Sequence, residues 1–508
     1  MSVIRITGSS LSLAELRRIW LEPVTVSLDD DSLARIADSQ TRIEEVVRSG
    51  EQVYGVNTGF GLLANVRIDA DELVRLQENL IRSHAVGLGE CLPDATVRLI
   101  LVLKLKALAE GYSGVRSELT ELLRQLINNG IYPEIPSKGS VGASGDLAPL
   151  AHMACALIGI GTVRVGGDSM PAADALAATG LEPLTLAPKE GLALLNGTQV
   201  STAIALTAAF RTENVLAAAL TAGAMSADAI KGSDTPFDPR IHDVRGHDSQ
   251  KDVAATLRRL LAGSDIRASH VECDRVQDPY SIRCQPQVMG ACLEVLRHVS
   301  CVLQVEASAV TDNPLVFEDA VLSGGNFHAE PVALAADYLA LSIAEIGSLS
   351  ERRIALLVDP HLSGLPAFLV KESGLNSGFM MVQIVAAALA SENKQLSHPA
   401  SVDSIPTSAN QEDHVSMATA AANRLHRIVD NVNDIVAIEL LSAAQGIDFH
   451  HPCRSSAILE DAHGVIRSVS PEYESDRSLK DDVEAVSRIV NGGHFYEHCA
   501  GIMPSAVT

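Results

Sequence analysis

The pattern of apolar and polar positions divides this 508-residue chain into a mixed first part and a long-helical second part. Residues 11–20 predict a short helix opened by Ser12 with Glu15 three positions on, the spacing of a capping box. Residues 32–50 predict a second helix. Tyr54-Gly55-Val56-Asn57-Thr58-Gly59-Phe60-Gly61 is poor in helix formers and predicts a loop. Residues 94–110 return to helix, with Leu99, Val102, Leu103 and Lys106 spaced by three or four, and 116–129 follow suit. Pro133, Pro136, Gly139, Gly142 and Gly145 then break regular structure across 133–146. A helix is expected to start near Asp146, a suitable N-cap, and to run to Ile160. A short extended excursion and loops follow over 161–190.

From about 200 onward, residues 200–231, 285–310, 330–357, 378–396 and 414–447 are rich in Ala and Leu and largely free of Pro. Several of these stretches are far longer than a mean helix of about 11–12 residues, and helices of that length pack in bundles. Between them lie short polar or glycine-containing connections at 274–287, 311–328 and 400–413. The expected fold class is mainly α, a mixed portion over 1–199 followed by a long up-down helix bundle over 200–508. The unusual polar residues gather in the connections, where a rigid scaffold carries sites.

Composition narrows the function. Aromatic residues make up 3% of the chain, which disfavours an all-β fold. A net charge of −24, from 39 basic and 63 acidic residues, repels nucleic acid and anionic membranes, so neither is expected as a partner. No stretch reads as the roughly 20 apolar residues of a membrane span. The eight cysteines are scattered without a C-x-x-C pair, and the opening Met1-Ser2-Val3-Ile4-Arg5 lacks a secretory apolar core. A cytoplasmic location is the expectation. Asp29-Asp30-Asp31 reads as a solvated turn. His450-His451-Pro452-Cys453 and the pair His494 and His498 offer possible metal ligands but not the three or four oriented ligands of a zinc site, and no metal is expected.

The chemistry concentrates in Gly139-Ser140-Val141-Gly142-Ala143-Ser144-Gly145-Asp146-Leu147. As a phosphate cradle it fails: Lys138 precedes the loop instead of closing it, and G-x-G-x-x-G is absent. A plain glycine-rich turn into a helix is one reading. Self-modification is another. In a tight bend the Gly145 nitrogen, uncrowded and free in φ, can attack the Ala143 carbonyl carbon and expel water. Ser144 then loses a second water to give an exocyclic alkene. The product, 4-methylidene-imidazol-5-one, is an electrophile of a kind no ordinary side chain provides.

The run Gly139 to His152 resembles the aromatic amino acid ammonia-lyase and aminomutase family. The resemblance extends over roughly residues 8–450 and includes YGVNTGFG at 54–61, SHAVGLGE at 83–90, EGLALLNGTQ at 190–199, QDPYSIRCQPQVMGA at 277–291, TDNPLVF at 311–317, SGGNFHAEP at 323–331 and SANQEDHVSM at 408–417. It implies a histidase-like fold, a methylidene-imidazolone formed from Ala143, Ser144 and Gly145 with no external cofactor, and a homotetramer whose sites draw on several subunits. It implies Tyr54 as the base, Arg283 as the clamp on the substrate carboxylate, and Tyr280, Gln277 and Asn196 as residues that orient the amine, the carboxylate or the prosthetic ring. Asn313 and Phe327 match positions that line the site.

Two positions speak to substrate. Ser83-His84 is typical of members acting on histidine, and Glu412 stands in Asn410-Gln411-Glu412-Asp413 where phenylalanine and tyrosine members have a shorter run. A carboxylate at Glu412 can accept an imidazole N–H and stabilise developing imidazolium. A phenyl ring would leave it unpaired, at about 1–3 kcal/mol. The resemblance therefore implies elimination of ammonia from L-histidine to trans-urocanate, the first step of histidine degradation. Arg82, ahead of Ser83, occurs in some aminomutases of the family, and the alternative is a histidine 2,3-aminomutase giving β-histidine.

Overall fold

The computed structural model describes residues 2–59, 65–270 and 276–506. Phe60-Gly61 of the glycine-rich loop and Cys273 lie outside the described residues. The fold is mainly helical, as the pattern predicts. Two compact units emerge: Met1–Thr207 with Ser300–Asp337 and Pro399–Asn423, and Ala208–Val299 with Tyr338–His398 and Arg424–Thr508. The pattern suggests one break near residue 200, whereas the units are discontinuous. Four of the five boundaries fall inside helices Gln199–Ala229, Gln285–Ala307, Glu330–Val358 and Ala418–Asp448, and the fifth follows helix Met380–Leu396. A uniformly apolar helix does not record in its sequence which neighbours each turn will meet.

The first unit is the mixed one. A parallel pair, Ser2–Ile6 with Val24–Leu28, an antiparallel pair, Leu88–Cys91 with Pro136–Lys138, and a three-stranded sheet, Ile131–Pro133, Thr162–Val165 and Asp168–Pro171, join helices between them. Ser12 and Glu15 form the expected capping box on helix Leu13–Leu21. Asp29-Asp30-Asp31 is not a turn. Asp29 caps helix Asp30–Ser49 by accepting from Ser32 N at 2.9 Å, and the other two occupy its first turn, where the helix dipole favours carboxylates. Helix Leu73–His84 has no counterpart in the predicted elements, and it carries His84.

Helix Asp94–Ala109 departs from the expected one-sided pattern. Every residue from Thr96 to Ala109 is buried, including Arg98, Lys104 and Lys106. These cations are tolerated because each finds acceptors. Arg98 donates to the carbonyls of Ile19 and Trp20, Lys106 to Thr7 O at 2.9 Å and to Glu110, and Lys104 to Ala193 O and Asn196 O at 3.1 and 2.8 Å. Helix Leu147–Leu157 ends a turn before the expected Ile160.

Among its described residues the second unit contains helices and no strands, and includes Asp248–Leu261, Ala457–Val469 and Lys480–Asn491, none of them predicted. Its polar centre is the Arg353–Glu439 pair, both side chains 0% exposed. Arg353 donates to both Glu439 oxygens at 2.5 and 2.8 Å, and Ser226 and Ser350 add one bond each at 2.8 and 2.6 Å.

One expectation is corrected. Helices Gln199–Ala229, Gln285–Ala307 and Glu330–Val358 are long and apolar enough, by length and composition, to cross a membrane. Small residues and scattered Thr and Ser hid this from a search for unbroken apolar runs. Their most apolar windows are 94%, 44% and 67% buried within the protein.

Removing one partner of the Arg353–Glu439 pair strands a buried charge. Glu439→Ala should lower stability to urea by about 3–5 kcal/mol, and the double variant Arg353→Met, Glu439→Leu by much less. Equal losses in the two would contradict this view of the pair.

Candidate active site

The site is built in the first unit around the loop Gly139–Asp146. Three of its glycines take left-handed φ: Gly139 +134°, Gly142 +65° and Gly145 +75°. At Gly145 the need is absolute as well as conformational. A Cβ there would lie 2.3 Å from Gly197 O and 2.5 Å from Gly197 N. This close approach lets the two backbones pair, with Asp146 N donating to Gly197 O at 2.7 Å.

Asp146 stands at the N-terminus of helix Leu147–Leu157, but its side chain makes no capping bond. It is drawn elsewhere by stronger demand. Fully buried, it accepts from Ser201 N at 2.7 Å and Ser201 Oγ at 2.9 Å, from Thr419 Oγ1 at 2.6 Å and from Ser140 Oγ at 3.0 Å. One carboxylate thus fastens the loop to two long helices. The other side of the loop is held by Met417 N donating to Val141 O at 2.8 Å and Ser416 Oγ donating to Gly142 O at 3.0 Å.

Within this frame Ala143 is buried and Ser144 half-buried at the wall of a cavity of about 1050 Å³. Ser144 Oγ donates to Glu412 Oε1 at 2.6 Å, and Asn196 Nδ2 donates to Ser144 O at 2.5 Å. Asn196 Oδ1 is buried without a hydrogen-bond partner. Glu412 is half-buried rather than buried and is aimed by Thr407, whose Oγ1 donates to Oε2 at 2.6 Å and whose backbone pairs with it in both directions. The residues between them, Ser408, Ala409 and Asn410, hold φ of +49°, +53° and +68°. Three consecutive left-handed non-glycine residues are strained, and strain of this kind persists where the surroundings impose it, as at functional sites.

The remaining wall comes from four other segments. Tyr54 sits in a turn stitched by Asn57, which accepts from Val53 N at 2.9 Å and donates to Glu51 O at 2.7 Å, and by Thr58, whose Oγ1 accepts from Gly55 N at 3.2 Å. His84 Nδ1 lies 2.8 Å from Leu80 O, an atom that can only accept, so Nδ1 carries the proton and Nε2 is left as an acceptor. Asn313 spends its amide on a neighbouring loop, donating to Ser323 Oγ at 3.1 Å and accepting from Gly324 N at 2.7 Å. Its role is to shape the wall. Phe327 closes the set.

The cavity therefore gathers Tyr54, His84, Ala143, Ser144, Asn196, Asn313, Phe327 and Glu412, with Gly145 directly behind. Gln277, Tyr280 and Arg283 belong to the second unit. There the short helix Tyr280–Arg283 leaves Tyr280 71% exposed, with the Arg283 guanidinium 4.6 Å from its ring centre. Arg283 Nε is buried without a hydrogen-bond partner. Ser83, named beside His84 in the sequence, lines the cavity too, as do Gln411, His328 and His414, to which no role was given. These three sit inside the motif blocks, but nothing in their spacing singled them out.

His328, Glu330 and His414 bring three ligand-type atoms within 4.8 Å of one another. His328 Nε2 lies 3.2 Å from the backbone carbonyl of His414 and 3.4 Å from His414 Nδ1. Among the described residues neither the 450–453 run nor His494 and His498 forms such a group. His450 Nε2 donates instead to Ala229 O at 2.6 Å. The seven cysteines among the described residues are unpaired, and burial pushes the thiols of Cys292 and Cys499 up to about 12.

A helical scaffold here bends a small tripeptide and sets its serine against a carboxylate inside a cavity. The family model described as aromatic amino acid lyase matches residues 11–468, and the chain belongs to that family. It is 57% identical to a histidine ammonia-lyase of Desulfotalea psychrophila over 97% of both chains. The crystal structure of histidine ammonia-lyase from Trypanosoma cruzi superposes with a TM-score of 0.91 at 41% identity, covering 100% of this chain and 98% of that one. Tyrosine aminomutase from Streptomyces globisporus superposes with a TM-score of 0.93 at 36% identity, covering 99% of each.

The Gly145–Gly197 contact makes a direct test. Gly145→Ala should lower stability by about 1–3 kcal/mol through overpacking and reduce turnover to background. A variant with normal melting and normal activity would show that the approach is not required.

Proposed function

We propose that this enzyme is an ammonia-lyase that converts L-histidine to trans-urocanate and ammonia. The observation that carries the reading is the 2.6 Å bond from Ser144 Oγ to Glu412, in a loop whose Gly145 can only be glycine. The residues present fit a methylidene-imidazolone made from Ala143, Ser144 and Gly145. Gly145 takes a left-handed φ that leaves no room for a side chain against Gly197, and Asn196 holds the Ser144 carbonyl by its amide, which fixes the Ser144–Gly145 peptide. That group would supply the electron-poor alkene the elimination needs.

The chain's own residues do the rest. Tyr54 takes the β-proton, a role that a phenol with an ordinary pKa of about 10 fills only when its phenolate is stabilised by a neighbouring donor or cation. Glu412 and the free acceptor nitrogen of His84 offer two acceptors for an imidazole ring. With phenylalanine bound neither Glu412 Oε1 nor His84 Nε2 would gain a donor from the substrate ring, which is the basis of selection against it. Arg283 grips the substrate carboxylate with two parallel bonds, and Gln277 and Tyr280 orient the amino acid. We infer a homotetramer whose sites draw on several subunits, a reading that the exposure of Tyr280 on the second unit supports. The same unit also exposes Tyr338, Leu341, Met381 and Ile384, apolar surface that suits such an interface. A cytoplasmic setting accords with the unpaired cysteines.

The aminomutase alternative rested on Arg82. Its guanidinium is engaged by Glu78 one helical turn away, at 2.8 Å, and it is absent from the cavity wall. Nothing in the site favours return of the amine over its release.

Incubation with L-histidine should give urocanate as the dominant product, followed by its ultraviolet absorbance, and Ser144→Ala should give none. Dominant β-histidine would overturn the reading. Glu412→Gln should lower kcat/KM for histidine about tenfold to a hundredfold, the loss expected of one charged hydrogen bond. It should also narrow the preference over phenylalanine. An unchanged preference would remove Glu412 from substrate selection.

A further inference from the structure

Lys104 is 1% exposed in the middle of a buried helix, and burial pushes its amine down to about 7. Among the described residues it forms no ion pair. The nearby carboxylate of Asp312 is already held by Lys189 Nζ at 2.9 Å and Ser113 Oγ at 3.1 Å. An apolar side chain of similar length would fill the space without the cost of burying an amine. What Lys104 does have is two main-chain acceptors, Ala193 O at 3.1 Å and Asn196 O at 2.8 Å.

Those carbonyls close the C-terminal end of the short helix Glu190–Leu195, where unpaired carbonyls and negative dipole collect. Asn196 is the C-cap, and Gly197 follows it. This two-residue turn is what grips the tripeptide: Asn196 Nδ2 on Ser144 O, and Gly197 O on Asp146 N. A path of hydrogen bonds and one peptide link thus runs from the buried amine to the carbonyl of the Ser144–Gly145 peptide, inside the tripeptide, and to Asp146 N, just after it.

We propose that Lys104 is a positioning residue for maturation of the tripeptide: it fixes the Asn196–Gly197 turn so that the Gly145 nitrogen is held against the Ala143 carbonyl. The inference rests on the reading of Ala143-Ser144-Gly145 given above. The step it governs is closure of the N–C bond with loss of one water, then loss of the second from Ser144. Lys104 touches none of the reacting atoms and acts only through residues 196 and 197.

The test is a time course of maturation. The full chain is made by cell-free synthesis, sampled at intervals and digested, and the peptide containing 143–145 is weighed. Wild type should shift to a species lighter by two waters. Lys104→Met, which keeps the length but has no donor, should slow the shift at least about tenfold, while Lys104→Gln, with two amide donors, should stay within about threefold. Circular dichroism melts of each variant separate this effect from loss of fold. Lys104→Met maturing at the wild-type rate would overturn the proposal, as would a folded Lys104→Gln as slow as Lys104→Met. If Lys104→Met fails to fold, Lys104→Gln decides: normal maturation supports the proposal and slow maturation overturns it. A wild-type peptide that never loses water would overturn the reading of the tripeptide itself, and the proposal with it.

Discussion

Two strands of backbone approach each other at Gly145 and Gly197 more closely than any side chain permits, and the rest of the site is arranged around that contact. It bends the tripeptide, directs the Ser144 carbonyl to Asn196 and leaves the Ser144 hydroxyl facing Glu412. A buried carboxylate, Asp146, then ties the bent loop to the starts of two long helices through Ser201 and Thr419. A scaffold of this kind is needed because ring closure of a peptide on itself demands that the reacting atoms be held together before any chemistry begins.

The long helices were the most legible part of the chain. Gln199–Ala229, Glu330–Val358 and Ala418–Asp448 lie within a few residues of their predicted ranges, because length and freedom from proline survive any packing environment. Helix Asp94–Ala109 was found but its surroundings were not. The burial of Lys104 and Lys106 was not legible, since the carbonyls that satisfy them come from residues distant in sequence. The expected N-cap at Asp146 illustrates the same limit. Local rules give the residue type, whereas the competing partners Ser201 and Thr419 lie 55 and 273 positions away. Helix Leu73–His84 was missed although it carries His84, which lines the cavity.

The site itself divides along a physical line. Chemistry showed what the tripeptide could do, since Gly145 offers an uncrowded nitrogen and Ala143 a small carbonyl donor, but left a plain turn equally open until the surrounding motif blocks were weighed. Tyr54, His84, Asn196, Asn313, Phe327 and Glu412 were readable only by likeness to a family, yet they converge on one cavity. The strained run Ser408–Asn410 had no signal in the sequence, since left-handed φ at Ser and Ala is imposed from outside by the Thr407–Glu412 pairing.

What the bent loop is for can be read on a balance. Mass spectrometry of the peptide spanning residues 143–145, taken from active wild-type protein, should show a deficit of two waters relative to its sequence. A peptide of full mass in protein that still turns over histidine would contradict the account, because the elimination would then be proceeding without the electrophile the whole architecture is built to make.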